Sequence, residues 1–328
     1  MDLQDFTNSQ MVEINIKEFI SGTSIPVDVY LKLAEDKYVL LAKKGDQSQL
    51  HGLNVIKNNA VDKVFVKKED YTSFTNNTVN IVKIVNQSSK FKTSHKTKFI
   101  RSATNAVFTQ ISNFGASEEA IAQAKDIAIS SLDMIEPNVT IAEILKGLQQ
   151  GNVLNQSVAV SAFSVMVAQQ LGWQSRITLE KLSMGALLAE VGLKELPVEL
   201  IEKPRSEMTH DEITLYEEHP FRGLRLLETA GNIPDDVKSV VYEHHENAMG
   251  MGYPRKLRDL RMNPLAKVVA LVTQFCELIV EMPANPDPWA PVEAINYIEN
   301  VMGQPFNKEA YKALQKLVEI DLSTKKSS

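Results

Sequence analysis

Four of the six histidines in this 328-residue chain fall between positions 210 and 245, and two of them are adjacent. The segment reads His244-His245-Glu246-Asn247-Ala248-Met249-Gly250-Met251-Gly252-Tyr253-Pro254. Neutral imidazole offers one lone pair per ring, so clustered histidines are side chains that a transition-metal ion selects. Neighbouring residues on a regular helix point about 100° apart, so His244 and His245 cannot both serve one apolar face. At a helix end they can converge on a common ion. The Gly250-Met251-Gly252-Tyr253-Pro254 run cannot continue a helix and predicts a tight loop that sets Tyr253 beside the histidines.

On these residues the chain resembles the HD-GYP family, helical phosphodiesterases of the bacterial second messenger cyclic-di-GMP. The family signature HHExxDGxGYP is matched at His244, His245, Glu246, Gly250, Gly252, Tyr253 and Pro254, with Met249 in place of its Asp. The resemblance spans about residues 150–318. Leu187-Leu188-Ala189-Glu190-Val191-Gly192, followed by Pro197, resembles LLHDIGK…P. Lys203-Pro204 with Met208-Thr209-His210-Asp211-Glu212 resembles KPxxLTxxE, and His219-Pro220-Phe221-Arg222-Gly223 resembles HPxxG. Asn155-Gln156-Ser157 aligns with an early His-Ser, and Ala266 to Leu278 with a late helix.

The resemblance implies two metals, held by an early His, a His-Asp pair, the HP histidine, the two adjacent histidines and a late Asp. On this chain the early His is Gln156, the pair is Ala189 and Glu190, and the late Asp is Thr273. One metal therefore loses its charged ligands at Gln156, Ala189 and Thr273. The other keeps Glu190, His219, His244 and His245, a set that suits one Fe(II), Mn(II) or Zn(II) ion. The same four residues are also compatible with a hydrogen-bonded polar cluster that holds no ion. Cation contacts to substrate phosphates thin out as well: Leu193 replaces a Lys, and Glu281 to Asp287 replaces an Arg-rich segment.

Phosphodiester hydrolysis of this kind relies on a pair of ions about 3.5–4 Å apart that steady the attacking and leaving oxygens. Losing transition-state contacts worth about 4 kcal/mol slows a reaction by roughly three orders of magnitude. The expectation is a degenerate member, inactive or weak, acting as an interaction or regulatory module. Its partner loop would be Gly250, Gly252, Tyr253 and Pro254, and a diguanylate cyclase (GGDEF) domain is the partner the resemblance suggests. A live phosphodiesterase working on cyclic-di-GMP with a single metal, and a sensor that binds a nucleotide or metal without turnover, are the alternatives. Homodimerisation is left open.

These residues need elements to position them. From about residue 99 apolar side chains recur at three- and four-residue spacing, through Ala116–Leu132, Thr140–Leu148, Val158–Leu171, Leu179–Leu188, Val237–His244, Ala266–Val280 and Ala290–Val301. Ser117-Glu118-Glu119 and Thr178-Leu179-Glu180 read as helix starts. Earlier, Val27 to Leu33, Tyr38 to Ala42 and Lys63 to Lys67 read as strands, with a turn at Glu35-Asp36 and a helical piece around Leu50 to Asn58. The expected fold is mainly α, a helical HD-domain-like bundle over 99–322 preceded by a small α+β domain over 1–85. A polar linker over 86–98 joins them, and 323–328 is a frayed tail. Pro283 to Pro291 holds four prolines and predicts a fixed loop that caps or fills the former substrate cleft. Trp173 and Trp289 are expected as core or interface anchors.

Composition narrows the field. A single cysteine, Cys276, rules out an intrachain disulfide and a cysteine-based zinc or iron–sulfur site. The net charge of −6 divides into +3 over residues 1–100 and −9 over the rest, which argues against a nucleic-acid binder. The first residues lack the basic and apolar regions of a secretory signal, and no stretch approaches the length of a membrane span. A cytoplasmic protein is expected.

Overall fold

The computed structural model describes residues 3–16, 24–46, 63–148 and 154–327. It opens with an antiparallel sheet of β1 (Leu3–Asp5), β2 (Met11–Asn15), β3 (Val29–Ala34), β4 (Lys37–Ala42) and β5 (Lys63–Lys67), in the spatial order β1-β4-β3-β5-β2. β3 and β4 form the expected hairpin, and Asp36 takes a φ of 55° in its turn, which a short polar side chain tolerates. Alternation puts Val64 and Val66 on one face with Val12, Ile14 and Val29, against Tyr71 and Phe74. Tyr30, Tyr38 and Met11 cluster on the opposite face. β1 and β2 are additions to the expected strands; β4 and β5 pair with them and organise them. The helical piece expected around Leu50 to Asn58 lies outside the described residues.

Helices follow without the expected linker. They are α1 (Tyr71–Gln87), α2 (Thr93–Phe114), α3 (Glu118–Met134), α4 (Ile141–Gly147), α5 (Asn155–Gln170), α6 (Arg176–Leu188), α7 (Val198–Ile201), α8 (His210–Tyr216), α9 (His219–Glu228), α10 (Asp235–Glu243), α11 (Pro264–Ile279), α12 (Pro291–Asn300) and α13 (Lys308–Ser327). Among the described residues α-helix thus begins at residue 71, not 99, and of 86–98 only 88–92 lies between helices. The Ser-, Thr- and Lys-rich stretch hides a helix start because its polar residues lie outward while Thr97, Ile100 and Ala103 turn inward. α1 serves both cores: Tyr71 and Phe74 pack on the sheet, Val79 and Val82 in the bundle. Of the tail expected over 323–328, residues up to Ser327 lie in α13, and Ser323 and Thr324 donate their hydroxyls back to the Ile320 carbonyl. Ser117 caps α3 as expected, but the cap of α6 is Ser175, which accepts from the Thr178 amide.

α5 is the axis of the bundle. Asn155 to Ala168 are all buried, as a helix enclosed on every side requires, and it packs on α6, α11 and α13. Around this axis α6, α10 and α11 bring their ends to one region. Trp173 packs against this core, as expected.

Candidate metal centre

The four ligand candidates reach one point from three places in the chain. α6 ends at Leu188 and tightens into a 3₁₀ turn over Ala189–Glu195 that carries Glu190. This turn lies against the start of α9 because Gly192 has no side chain: a Cβ there would sit 2.0 Å from the His219 carbonyl oxygen. His219 is the first residue of α9. α10 stops at Glu243, so the two adjacent histidines follow the helix end, as the sequence predicts, with ring centroids 4.2 Å apart. The buried carboxylate of Glu243 fixes that end by accepting from the Asn263 amide at 2.7 Å.

Among the described residues, one ligand atom from each of Glu190, His219, His244 and His245 lies within 4.8 Å of the other three. His219 Nε2 is 3.1 Å from His244 Nε2 and 3.3 Å from Glu190 Oε2, and His244 Nε2 is 3.9 Å from Glu190 Oε1. Two donors bound about 2.1 Å from one ion are themselves about 3.0–4.2 Å apart, so these spacings fit a shared cation. The protonation pattern fits too. His219 Nδ1 donates to the Tyr216 carbonyl at 2.7 Å and His244 Nδ1 to the Val241 carbonyl at 2.8 Å. A carbonyl only accepts, so each Nδ1 carries the proton and each Nε2 turns a bare lone pair inward. Two such lone pairs facing a carboxylate repel one another unless a proton or a cation lies between them.

Burial sharpens this. His219 and His244 are fully enclosed and Glu190 is 3% exposed. Desolvation pushes the imidazoles below their ordinary range, His244 to about 4, so they stay neutral. Burial, then the nearby Glu277 carboxylate, pushes Glu190 up to about 8. Glu190 Oε2 and His245 Nε2 have no hydrogen-bond partner. Buried neutral imidazoles beside an unsatisfied carboxylate form a donor set complementary to a divalent cation.

The other half of the region differs. Gln156 points its amide Nε2 at Glu190 Oε1, donating at 3.0 Å. Ala189 offers a methyl group, and Thr273 is buried with its hydroxyl unpartnered.

The Gly250–Pro254 segment closes over the histidines. Tyr253 stacks on His245, with centroids 4.5 Å apart and planes at 18°. A Cβ on Gly252 would meet the His245 carbonyl oxygen at 2.3 Å, so only glycine lets the loop return this closely. Glu246, wholly buried, accepts from the Arg255 and Leu257 amides at 2.6 and 2.8 Å and pins the far side of the loop. Gly250 takes a left-handed φ of 75° at the loop's outer turn, and Pro254 follows Tyr253 at its exit.

Beside the histidines opens a cleft of about 540 Å³, lined among others by Gln156, Leu193, Lys203, Arg205, Glu277 and Trp289. Pro283, Ala284 and Asn285 form one wall, so of the two expected roles, capping or filling, the proline-rich loop does not fill the cleft. Asn285 holds that wall by donating to the carbonyls of Glu277, Leu278 and Val280 at the end of α11. Trp289 is 41% exposed on the same wall, edge-on to Tyr297, and is no core anchor. The cleft's cations, which sequence reading missed, come from the opposite side. Lys203 pairs with Glu212 and Arg205 with Glu217, and the Arg205 guanidinium lies 5.3 Å from the Tyr253 ring centre and 5.6 Å from that of Tyr216. Nothing local in the sequence marks Arg205. Glu277 was also missed, although its place four residues after Thr273 on one helix was a usable signal.

Residues 139–309 match the family described as "HD domain", and the chain belongs to that family. It is 27% identical over 201 residues to the protein named cyclic di-GMP phosphodiesterase PA4108 of Pseudomonas aeruginosa, covering 61% of this chain and 48% of that one. It is likewise 27% identical over 160 residues to a protein of Thermotoga maritima named cyclic di-GMP phosphodiesterase, covering 48% of this chain and 42% of that one. The chain thus spans about half the length of the curated relatives it matches. Among solved structures it is similar to Bd1817, described as an HDG"Y"P protein from Bdellovibrio bacteriovorus, with a TM-score of 0.71 at 20% identity over 94% of this chain and 99% of that one. The fold is the expected one, a helical HD-domain bundle with a small β-sheet unit at its N-terminal side. Among the described residues no helix is long and apolar enough to cross a membrane.

Proposed function

We propose that this chain binds one divalent transition-metal ion through Glu190, His219, His244 and His245 and serves cyclic-di-GMP signalling as a cytoplasmic regulatory or interaction module with little or no phosphodiesterase activity. The observation that carries this reading is the asymmetry of the region. Four donors converge on one side, while Gln156, Ala189 and Thr273 on the other give a second ion no anionic ligand. Gln156 moreover presents an N–H to Glu190, where a second cation would need a lone pair. A single bound ion supplies Lewis acidity and a water of lowered pKa, without the paired geometry that steadies both oxygens in phosphodiester cleavage.

The chain's own residues have definite tasks in this reading. The Tyr216 and Val241 carbonyls hold His219 and His244 in the tautomer that binds. Tyr253, stacked on His245, shields the ion from bulk water on the loop side. The exposed side chains of Met249 and Met251, 53% and 66% accessible, make the outer surface of the loop suitable for a protein partner such as a diguanylate cyclase (GGDEF) domain or a second copy of the chain.

A second reading, slow hydrolysis of cyclic-di-GMP with one metal, is favoured by the open cleft with Lys203 and Arg205 at its rim. Elemental analysis of protein purified without oxygen, followed by a cyclic-di-GMP hydrolysis assay with added Fe(II) or Mn(II), tests both. We expect one ion per chain and turnover at least about three orders of magnitude below that of a two-metal relative. Two ions per chain, or rapid turnover abolished by His244→Ala, would overturn the main reading.

A further inference from the structure

Arg205 opens a 3₁₀ turn over Arg205–Glu207, and Tyr216 closes α8; both line the cleft beside the histidines. The Tyr216 ring centre lies 5.6 Å from the Arg205 guanidinium and 5.0 Å from the ring centre of His219. The Tyr253 ring centre lies 5.3 Å from the same guanidinium and 4.5 Å from the ring centre of His245. Each tyrosine thus bridges the cation and a candidate ligand of the ion. A guanidinium packed on aromatic rings loses rotamer freedom while its N–H groups stay available. Among the described residues only Nη2 is engaged, donating to Glu217, and Nε and Nη1 make no hydrogen bond.

The two phenols are in the same condition: among the described residues neither the Tyr216 nor the Tyr253 hydroxyl has a hydrogen-bond partner. A phenol keeps its proton at neutral pH, so each holds a donor ready. Guanidinium N–H groups and two hydroxyls beside a metal centre are complementary to an oxyanion. A tetrahedral phosphoryl group has enough oxygens to serve the ion, the guanidinium and a phenol together, which the two oxygens of a carboxylate cannot do. From ion to guanidinium nitrogen such a bridge spans roughly 6–7 Å, a span that the contacts through the Tyr253 ring, of 5.3 and 4.5 Å, allow. Arg205 falls in the unspecified part of the stretch from Lys203 to Glu212, and Tyr216 in none of the matched motifs, so the arrangement belongs to this chain itself.

We propose that Arg205, Tyr216 and Tyr253 form a cradle that holds the phosphoryl group of a phosphoester against the ion bound by Glu190, His219, His244 and His245. The proposal rests on the single-ion reading above and deepens it by naming the class of ligand and the residues that grip it. A cleft of about 540 Å³ has room for far more than a phosphate, and the apolar side chains of Leu278, Met282 and Trp289 on its wall suit the organic part of the ester. Glu217, paired with Arg205, and Glu277, on the same cleft, offset part of the guanidinium's charge. The cradle alone therefore holds an anion weakly, and the ion supplies the second positive contact. Anion and metal must then assist each other by the same factor.

The test titrates inorganic phosphate into the full chain by calorimetry, stripped of metal and then loaded with one equivalent of Mn(II). Phosphate should bind the loaded chain about tenfold or more tightly than the stripped one, and its phosphorus resonance should broaden through contact with the paramagnetic ion. Arg205→Gln should weaken phosphate binding to the loaded chain by about tenfold or more, and Tyr216→Phe, which keeps the ring, by about threefold. Mn(II) affinity without phosphate should not fall in either variant, which separates a lost cradle from a damaged metal centre. Arg225→Gln removes the same charge from the exposed side of α9 and should bind phosphate as wild type does. Unchanged phosphate affinity in Arg205→Gln overturns the proposal. So does equal weakening in Arg205→Gln and Arg225→Gln, which reports overall charge alone, and so does phosphate binding indifferent to Mn(II). A chain that takes up no Mn(II) defeats the single-ion reading itself and this proposal with it, whereas a chain that takes up Mn(II) and no phosphate defeats this proposal alone.

Discussion

Gly192→Ala should damage both the fold and the metal centre, and its size can be worked from the contacts. A Cβ on residue 192 would lie 2.0 Å from the His219 carbonyl oxygen and 2.6 Å from the Gly223 amide nitrogen. Both are backbone atoms, so no rotamer change relieves the clash. The Glu190 turn and α9 must separate by more than about 1 Å to restore ordinary contact in a close-packed interior. Overpacking of this kind costs about 1–3 kcal/mol and sometimes more, and the melting temperature falls by about 2–4 °C per kcal/mol in domains of this size range. We therefore expect a fall of roughly 5–10 °C. Glu190 is two residues from the clash and only 3.3 Å from His219 Nε2, so the two ligands part and Mn(II) affinity should drop between about tenfold and a hundredfold. Gly223→Ala is the graded control, because its nearest contacts are looser, Val241 Cγ1 at 3.0 Å, the Gly192 nitrogen at 3.3 Å and Val191 Cγ1 at 3.4 Å, and it should be milder in both respects. Circular dichroism melts and calorimetric Mn(II) titrations of the three proteins read the outcome. A Gly192→Ala protein that melts within about 1 °C of wild type and binds Mn(II) equally well would refute the claim that this close approach sets the site.

Two further outcomes follow from the same geometry. Without metal, burial and Glu277 raise Glu190 to about 8, whereas a bound cation favours the ionised form. Binding near pH 7 must then displace a proton from Glu190, so Mn(II) affinity should rise by up to about tenfold per pH unit from pH 6 and level off above pH 8; affinity independent of pH over that range, by calorimetry in matched buffers, contradicts it. Glu246→Ala leaves the Arg255 and Leu257 amides without acceptors, which at about 1–3 kcal/mol each should cost about 2–5 kcal/mol in urea unfolding and speed hydrogen exchange at Leu257. Unchanged exchange there would mean that Glu246 does not hold the loop.

Much of the scaffold was legible because helices report their own periodicity. The stretches Ala116–Leu132, Val158–Leu171 and Ala266–Val280 correspond to α3, α5 and α11 within a few residues. The boundary at residue 99 failed for a related reason. A helix that shows a polar face to water, as α2 does at its start, has the composition of a linker until its buried residues are known. Resemblance carried the four ligand candidates, and the chain brings those four together. It could not convey that Lys203 and Arg205 line the cleft, or that the proline-rich segment forms its wall.

By itself the sequence determined the family, the helical bundle, the helix end at His244 and the loss of donors at Gln156, Ala189 and Thr273, because each is a matter of residue type or short-range spacing. Only the tertiary structure decided which way the Gln156 amide points, that Tyr253 stacks on His245, that Gly192 lets Glu190 approach His219, and that Glu277 comes within 3.8 Å of His245. Those meetings join side chains from separate elements, and their distances follow from how the helices pack against α5, which no local pattern encodes.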